Sequence, residues 1–253
     1  RSVYVHPASS GATAFTLTNS TFTTNIGGTS EVLVFYEGSA SGNTYDIRNN
    51  NFTSVNVTAV QVQIGTSLSP LQTARGHVSS NTFTGLANGF ATGITVTVAD
   101  NAGSTMIAAV ENNTFFAMGT MAIDINKQPL NNNMHATVRN NTVRAPVMPG
   151  TIYLYGIRLV MSATSAAGPA GTYCVNVTGN DIPNFGGGES AIRIRRLGTH
   201  AGLTTSIQGF TGTTQPQLTT FLTNANAGPL GPMNYSPDPI PQFVFPNATC
   251  MTP

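Results

Sequence analysis

Nine carboxylates, five Asp and four Glu, are the residues of this chain most able to do acid-base chemistry. Hydrolysis of a glycosidic bond needs two of them facing one sugar, roughly 5 to 10 Å apart. Proton abstraction needs a basic group placed against the substrate. The densest basic run is Arg193, Arg195 and Arg196, which are the candidate binding residues and would suit an acidic glycan. The competing reading is a solvated edge that discourages addition of a further strand. The histidines are His6, His77, His135 and His200, and none has metal-ligand spacing with another His, Cys or Asp. No Ser lies in a Gly-x-Ser-x-Gly elbow, and Gly186-Gly187-Gly188 is not followed by a helix carrying Lys, which argues against a phosphate cradle. No residue is therefore assigned a catalytic, cofactor-binding or metal-binding role.

Whatever these side chains do, a repeat positions them. Val110-Glu111-Asn112-Asn113-Thr114-Phe115 sets the pattern, and 47–52, 78–83, 138–143 and 177–182 follow it, with 17–22 as a weaker first copy. The fourth positions are Ser20, Asn50, Asn81, Asn113, Asn141 and Asn180, separated by 30, 31, 32, 28 and 39 residues. A period of that size marks a solenoid, a propeller or an array. Each period also holds a second apolar alternation, such as Val60-Gln61-Val62-Gln63-Ile64 or Ile94-Thr95-Val96-Thr97-Val98, the signature of a strand with one buried face. No segment between the strands reads as a crossover helix. A propeller blade would demand more strands per period and aromatic signatures that this chain lacks.

Two or three short strands per turn, stacked in register, predict an all-β, right-handed parallel β-helix of about six coils. Its asparagines would sit at the corners, where Asn tolerates left-handed backbone. Their amides would bond from coil to coil at the strand spacing of about 4.8 Å. Asn50, Asn81, Asn113, Asn141 and Asn180 are thus expected to form a ladder. Stacking also aligns the outward residues. One column reads Arg48, Ser79, Glu111, Arg139, Thr178 and another Gln61, Thr95, Asp124, Arg158, Arg193. Neither puts two acids on neighbouring coils; instead Glu111 falls beside Arg139 and Asp124 beside Arg158, pairs that stabilise by about 0.2 to 1 kcal/mol.

These hydrophobic-x-x-Asn-x-hydrophobic repeats, over residues 15 to 197, resemble those of right-handed parallel β-helix proteins of the pectate-lyase-like superfamily. The closing stretch, with 173–180, then Ala191-Ile192-Arg193-Ile194-Arg195, a short helix and a final Cys250, is similar to the C-terminal part of large secreted bacterial β-helix proteins. The resemblance implies fold and compartment. It transfers no catalytic residue, because none can be matched.

Composition agrees with an exposed, hydroxyl-rich solenoid. Only 8% of residues are charged, against about 25% in ordinary soluble domains. With 10 basic and 9 acidic residues, the chain has no net field to attract nucleic acid or an anionic membrane. No run approaches the roughly 18 apolar residues of a membrane span. Arg1 leads almost directly into Val3-Tyr4-Val5, as if the chain begins inside a coil, so a leader and further coils are expected to precede it. Cys174 and Cys250, 76 positions apart, read as one disulfide tying the tail to the last full coil. The alternative is two free buried thiols.

The predicted division is a β-helix over 1–197 and a C-terminal cap over 198–253. Long loops are expected near Ser67–Arg75, Asp100–Ser104, Lys127–Met134 and Ser162–Pro169. Pro216 suits the first turn of a short helix at about 215–225, whose Leu218, Phe221 and Leu222 would plug the core, followed by an extended Pro-rich tail. Of the Asn-x-Ser/Thr sequons, those inside the repeat are explained by corner geometry, and Asn247 is the accessible one.

The functional expectation is a non-enzymatic, extracellular or cell-surface module with a structural, adhesive or accessory role, without cofactors. Its partners would be a glycan or another surface protein. The alternatives are a polysaccharide lyase or glycoside hydrolase, and a subunit that self-associates or assembles through its N-terminal coil.

Overall fold

The computed structural model describes residues 2–7, 11–23, 30–37, 41–65, 72–86, 90–99, 103–128, 131–144, 155–162, 171–183, 190–197, 203–228, 230–236 and 248–253. Strand β1 (Val3–Val5) precedes a first coil of β2 (Ala14–Thr18), β3 (Thr21–Thr23) and β4 (Ser30–Tyr36). The second coil is β5 (Asn43–Arg48), β6 (Asn51–Val55) and β7 (Thr58–Ile64), and the third β8 (Thr73–Ser79), β9 (Thr82–Gly85) and β10 (Thr92–Val98). The fourth is β11 (Thr105–Glu111), β12 (Thr114–Phe116) and β13 (Met121–Lys127), and the fifth β14 (Asn132–Arg139), β15 (Thr142–Val143) and β16 (Tyr155–Ser162). Then come β17 (Gly171–Thr178), β18 (Ser190–Leu197), β19 (Thr204–Ile207), helix α1 (Gln215–Ala225) and β20 (Met233–Ser236).

Like strands of successive coils pair in parallel, giving an eight-stranded sheet from β1 to β20, a seven-stranded sheet from β2 to β19 and a five-stranded sheet from β3 to β15. This is a parallel β-solenoid of about five turns, one fewer than the six coils expected. The difference lies after β17. There Asp181 makes only isolated bridges to Thr142 and Ala227, and Pro183, which has no N–H to donate, follows.

Alternation along each strand sends Val60, Val62 and Ile64, then Ile94, Val96 and Val98, then Ile123 and Ile125 into one buried core. Beside the five-stranded sheet, Phe22, Phe52, Phe83 and Phe115 stack with centroids 4.9, 4.9 and 4.8 Å apart and rings within 10° of parallel. That spacing is the strand repeat itself, so coil stacking and aromatic packing satisfy one distance.

The asparagine ladder is present and buried. The Nδ2 groups of Asn50, Asn81, Asn113 and Asn141 each donate to the Oδ1 of the next Asn at 2.9 to 3.0 Å, ending on Asn180. Each Nδ2 also donates to a carbonyl of the preceding coil, Leu17, Ile47, Val78 and Val110 in turn. Each Oδ1 further accepts the backbone N–H of the ladder residue before it, beginning with Ser20. The amides thus satisfy their donors and acceptors without water, which burial requires.

One detail of the corner differs from expectation. The left-handed residue is not the ladder Asn but the residue before it: Asn19, Asn49, Ser80, Asn112 and Asn140, with φ between 53° and 57°, and Gly179 at 67°. The two tasks conflict in one residue, because turning the chain points a side chain outward while laddering needs it inside. At Gly179 a Cβ would stand 2.3 Å from Asn140 Oδ1, so glycine also makes room for its neighbour.

The loop expected at Lys127–Met134 is shorter, since Lys127 ends β13 and Asn132 opens β14; likewise Thr73–Arg75 belong to β8. Lys127 is fully buried, with Nζ near the carbonyls of Gln128 and Ser162. Helix α1 forms where its sequence predicts. Thr214 and Gln217 close a capping box, and Leu218 and Leu222 are buried. Phe221 packs on Phe210, and strands β19 and β20, on either side of the helix, continue two of the sheets. Gly186-Gly187-Gly188, Asp100, His200, Asn247 and Pro229, Pro237, Pro239, Pro241 and Pro246 lie outside the described residues.

Candidate functional site

Register fixes which charged groups meet on the outer faces. In the eight-stranded sheet Asp124 lies between Thr95 and Arg158, and Arg158 between Asp124 and Arg193. Arg158 holds Asp124 through two parallel bonds, Nε to Oδ1 at 2.9 Å and Nη2 to Oδ2 at 2.7 Å. Burial opposes the charge on Arg158, but the hydrogen bond to Asp124 and the nearby Asp124 and Tyr155 outweigh it and hold its pKa above the usual value. In the seven-stranded sheet Arg139 Nε bonds Glu111 Oε1 at 2.7 Å. Two further pairs cross from coil to coil, Arg144 with Asp181 at 2.7 Å and His6 with Glu37, and Arg48 pairs with Asp46 two residues away on the same strand at 3.0 Å. Glu31 accepts from the Ser2 hydroxyl at 2.7 Å. Every described Asp and Glu side chain thus has a partner of its own, and no group of three or more His, Cys, Asp or Glu able to hold a metal ion occurs among the described residues.

The three candidate arginines do not share a face. Arg193 and Arg195 occupy outward columns, in register with Asn234 and Ser236, whereas Arg196 falls in the column of Met161, Lys127 and Val98. Arg193 donates to the Tyr155 hydroxyl and its guanidinium carbon sits 4.6 Å from that ring's centroid, a cation-π contact. The structure therefore brings Arg193 and Arg195 together and directs Arg196 elsewhere.

A second location was not foreseen. On the outer face of the seven-stranded sheet, β2, β5 and β8 border an open cavity of about 250 Å³. Phe15 and Thr16 come from β2, Thr44 and Asp46 from β5, Arg75 and His77 from β8, and Pro253 closes one side. Below it Tyr45 is buried, and desolvation drives its phenol pKa far above normal. A Cβ on Gly76 would lie 1.9 Å from Tyr45 O and 2.7 Å from Tyr45 Cγ, so only glycine admits the Tyr45 ring here. Arg75, His77 and Asp46 were legible as charged positions, but the contribution of Pro253, from the far end of the chain, leaves no periodic trace.

Pro253 reaches that place through the disulfide. Cys174 and Cys250 are bonded, Cys250 N–H donates to Gln208 Oε1 at 2.9 Å and Met251 N–H to His135 Nδ1 at 3.3 Å. The tail thereby crosses the sheet from β17 over β14 toward β8.

No family model, curated protein or solved structure matches this chain. No helix among the described residues is long and apolar enough to cross a membrane.

Proposed function

We propose that the chain is a non-catalytic, rigid solenoid that serves outside the cell as a structural, adhesive or accessory module. The observation that supports it is the use made of the carboxylates: Asp46, Glu111, Asp124 and Asp181 are each held by an arginine, so none faces another acid across a cleft. An amide ladder that runs along one corner of the coils, from Asn50 to Asn180, adds stiffness along the axis. The disulfide is compatible with an oxidising compartment. On this reading the chain keeps the right-handed coil of the pectate-lyase-like superfamily, from a secreted bacterial protein, without its polysaccharide chemistry. Incubation with pectins, alginates and neutral glycans tests it: no unsaturated or reducing ends are expected, and their release would make the chain an enzyme.

One observation favours a second role, assembly through the first coil. Val3, Val5, Phe15, Leu17 and Phe22 are only partly buried, whereas Ile47 and Phe52 one coil further on are fully buried. A partner strand laid on β2 and β3 would complete their burial. Sedimentation over a range of concentrations is expected to show self-association, and a strictly monomeric chain removes this role.

A further inference from the structure

The three sheets differ in what lies over their outer faces. On the eight-stranded sheet the outward Leu33, Thr97, Asp124 and Val160 are buried, and on the seven-stranded sheet the outward Ala109, Thr137 and Ser206 are buried. On the five-stranded sheet no described outward side chain is buried. Thr21, Asn51, Thr82, Thr114 and Thr142 stand there in one column, in register from coil to coil. Thr23, Thr53, Thr84 and Phe116 stand in a second, offset between Thr53 and Thr84 by a bulge. The Asn51 amide and the hydroxyls of Thr82, Thr84, Thr114 and Thr142 make no hydrogen bond among the described residues, and Phe116 is 42% exposed. The charges at the edge of this face, Arg144 and Asp181, hold each other at 2.7 Å, so its described residues carry no net charge.

A protein partner would find a single aromatic anchor among hydroxyls here, whereas protein interfaces centre on an apolar core. Without net charge the face has no field to select an acidic polymer. An extended neutral polysaccharide suits it better. Its hydroxyls exchange hydrogen bonds with threonine and asparagine side chains, and the C–H faces of its sugars pack on an aromatic ring. Its units also recur at an interval close to the strand spacing of about 4.8 Å, so a chain laid along the solenoid axis meets one coil per sugar. We infer that the outer face of the five-stranded sheet binds an extended, uncharged, β-linked polysaccharide, with one sugar on the Phe116 ring and its neighbours bonded to the threonine column and the Asn51 amide. This rests on the adhesive reading above and gives it a ligand class.

Cosedimentation of the whole chain with cellulose, mannan and polygalacturonate gel, at low and high salt, tests this, with reducing ends measured in the same tubes. Saturable binding to cellulose or mannan that survives high salt is expected, since no ion pair holds the ligand. Phe116→Ala should weaken it about fivefold, the worth of one aromatic contact. Thr82→Val/Thr114→Val keeps the side-chain shape, removes two hydroxyls and should weaken it about tenfold. Thr73→Val, on the outer face of the seven-stranded sheet, should bind as the parent does. An absence of binding to both neutral polymers overturns the surface and leaves the structural role standing. Binding confined to polygalacturonate or lost at high salt also overturns it, as do Phe116→Ala and Thr82→Val/Thr114→Val variants that bind like the parent. Binding that releases reducing ends keeps the surface and removes the non-catalytic reading.

Discussion

Asn180 Nδ2 donates to Asn226 Oδ1 at 2.9 Å, although the two are 46 residues apart and the second caps the C-terminus of helix α1. The ladder therefore does not stop at the last coil but runs into the helix that covers it. Asn226 also donates to Val177 O and Leu222 O, tying coil and helix together. Asn226→Ala leaves these buried groups unpaired, each worth about 1 to 3 kcal/mol and not additive. The expected outcome is a loss of about 3 kcal/mol in urea unfolding. Amide exchange should rise in α1 and β17 first; uniform loosening of all coils would contradict this coupling.

Neighbouring asparagines in one corner should respond differently to mutation. Asn113 is buried in the ladder, whereas Asn112 is exposed with φ of 56°. Asn113→Ala should cost about 3 kcal/mol through unsatisfied partners. Asn112→Gly should be neutral or stabilising, and Asn112→Ala should cost about 1 kcal/mol for the left-handed backbone. Denaturant midpoints of the three variants check the order.

That contrast also marks how far the sequence could be read. The period exposed the ladder positions, and aligning copies brought Glu111 to Arg139 and Asp124 to Arg158, because stacking converts equal phase into adjacency. Phase does not reveal the division of labour between Asn112 and Asn113, since both are asparagine. Asn226 stood outside the repeat and had no phase to betray it. The cavity is lined by Pro253 as well as by β2, β5 and β8, and a tail held by a disulfide leaves no period to read.

The Asp124–Arg158 pair should behave as a buried ion pair. Side-chain exposures of 5% and 22% leave the carboxylate dependent on the guanidinium. Arg158→Ala strands a buried charge and is expected to cost about 3 kcal/mol at neutral pH. The double variant Asp124→Leu/Arg158→Leu should recover most of that loss, because the desolvation of both charges is removed. A double-mutant cycle in urea measures it, and a double variant weaker than either single would refute the assignment.

The His135 contact with the tail makes a signed prediction for pH. Burial lowers the His135 pKa from its ordinary 6.5, so the folded protein resists protonation there more than the unfolded chain does. Its contribution to stability is complete above 6.5 and is lost as the pH falls below that value toward the lowered pKa. Protonating Nδ1 also removes the acceptor for Met251 N–H. Between pH 7.5 and 5 the urea midpoint should decline, and His135→Phe should flatten the part due to this group. A decline of equal size in that variant would place the titrating group elsewhere.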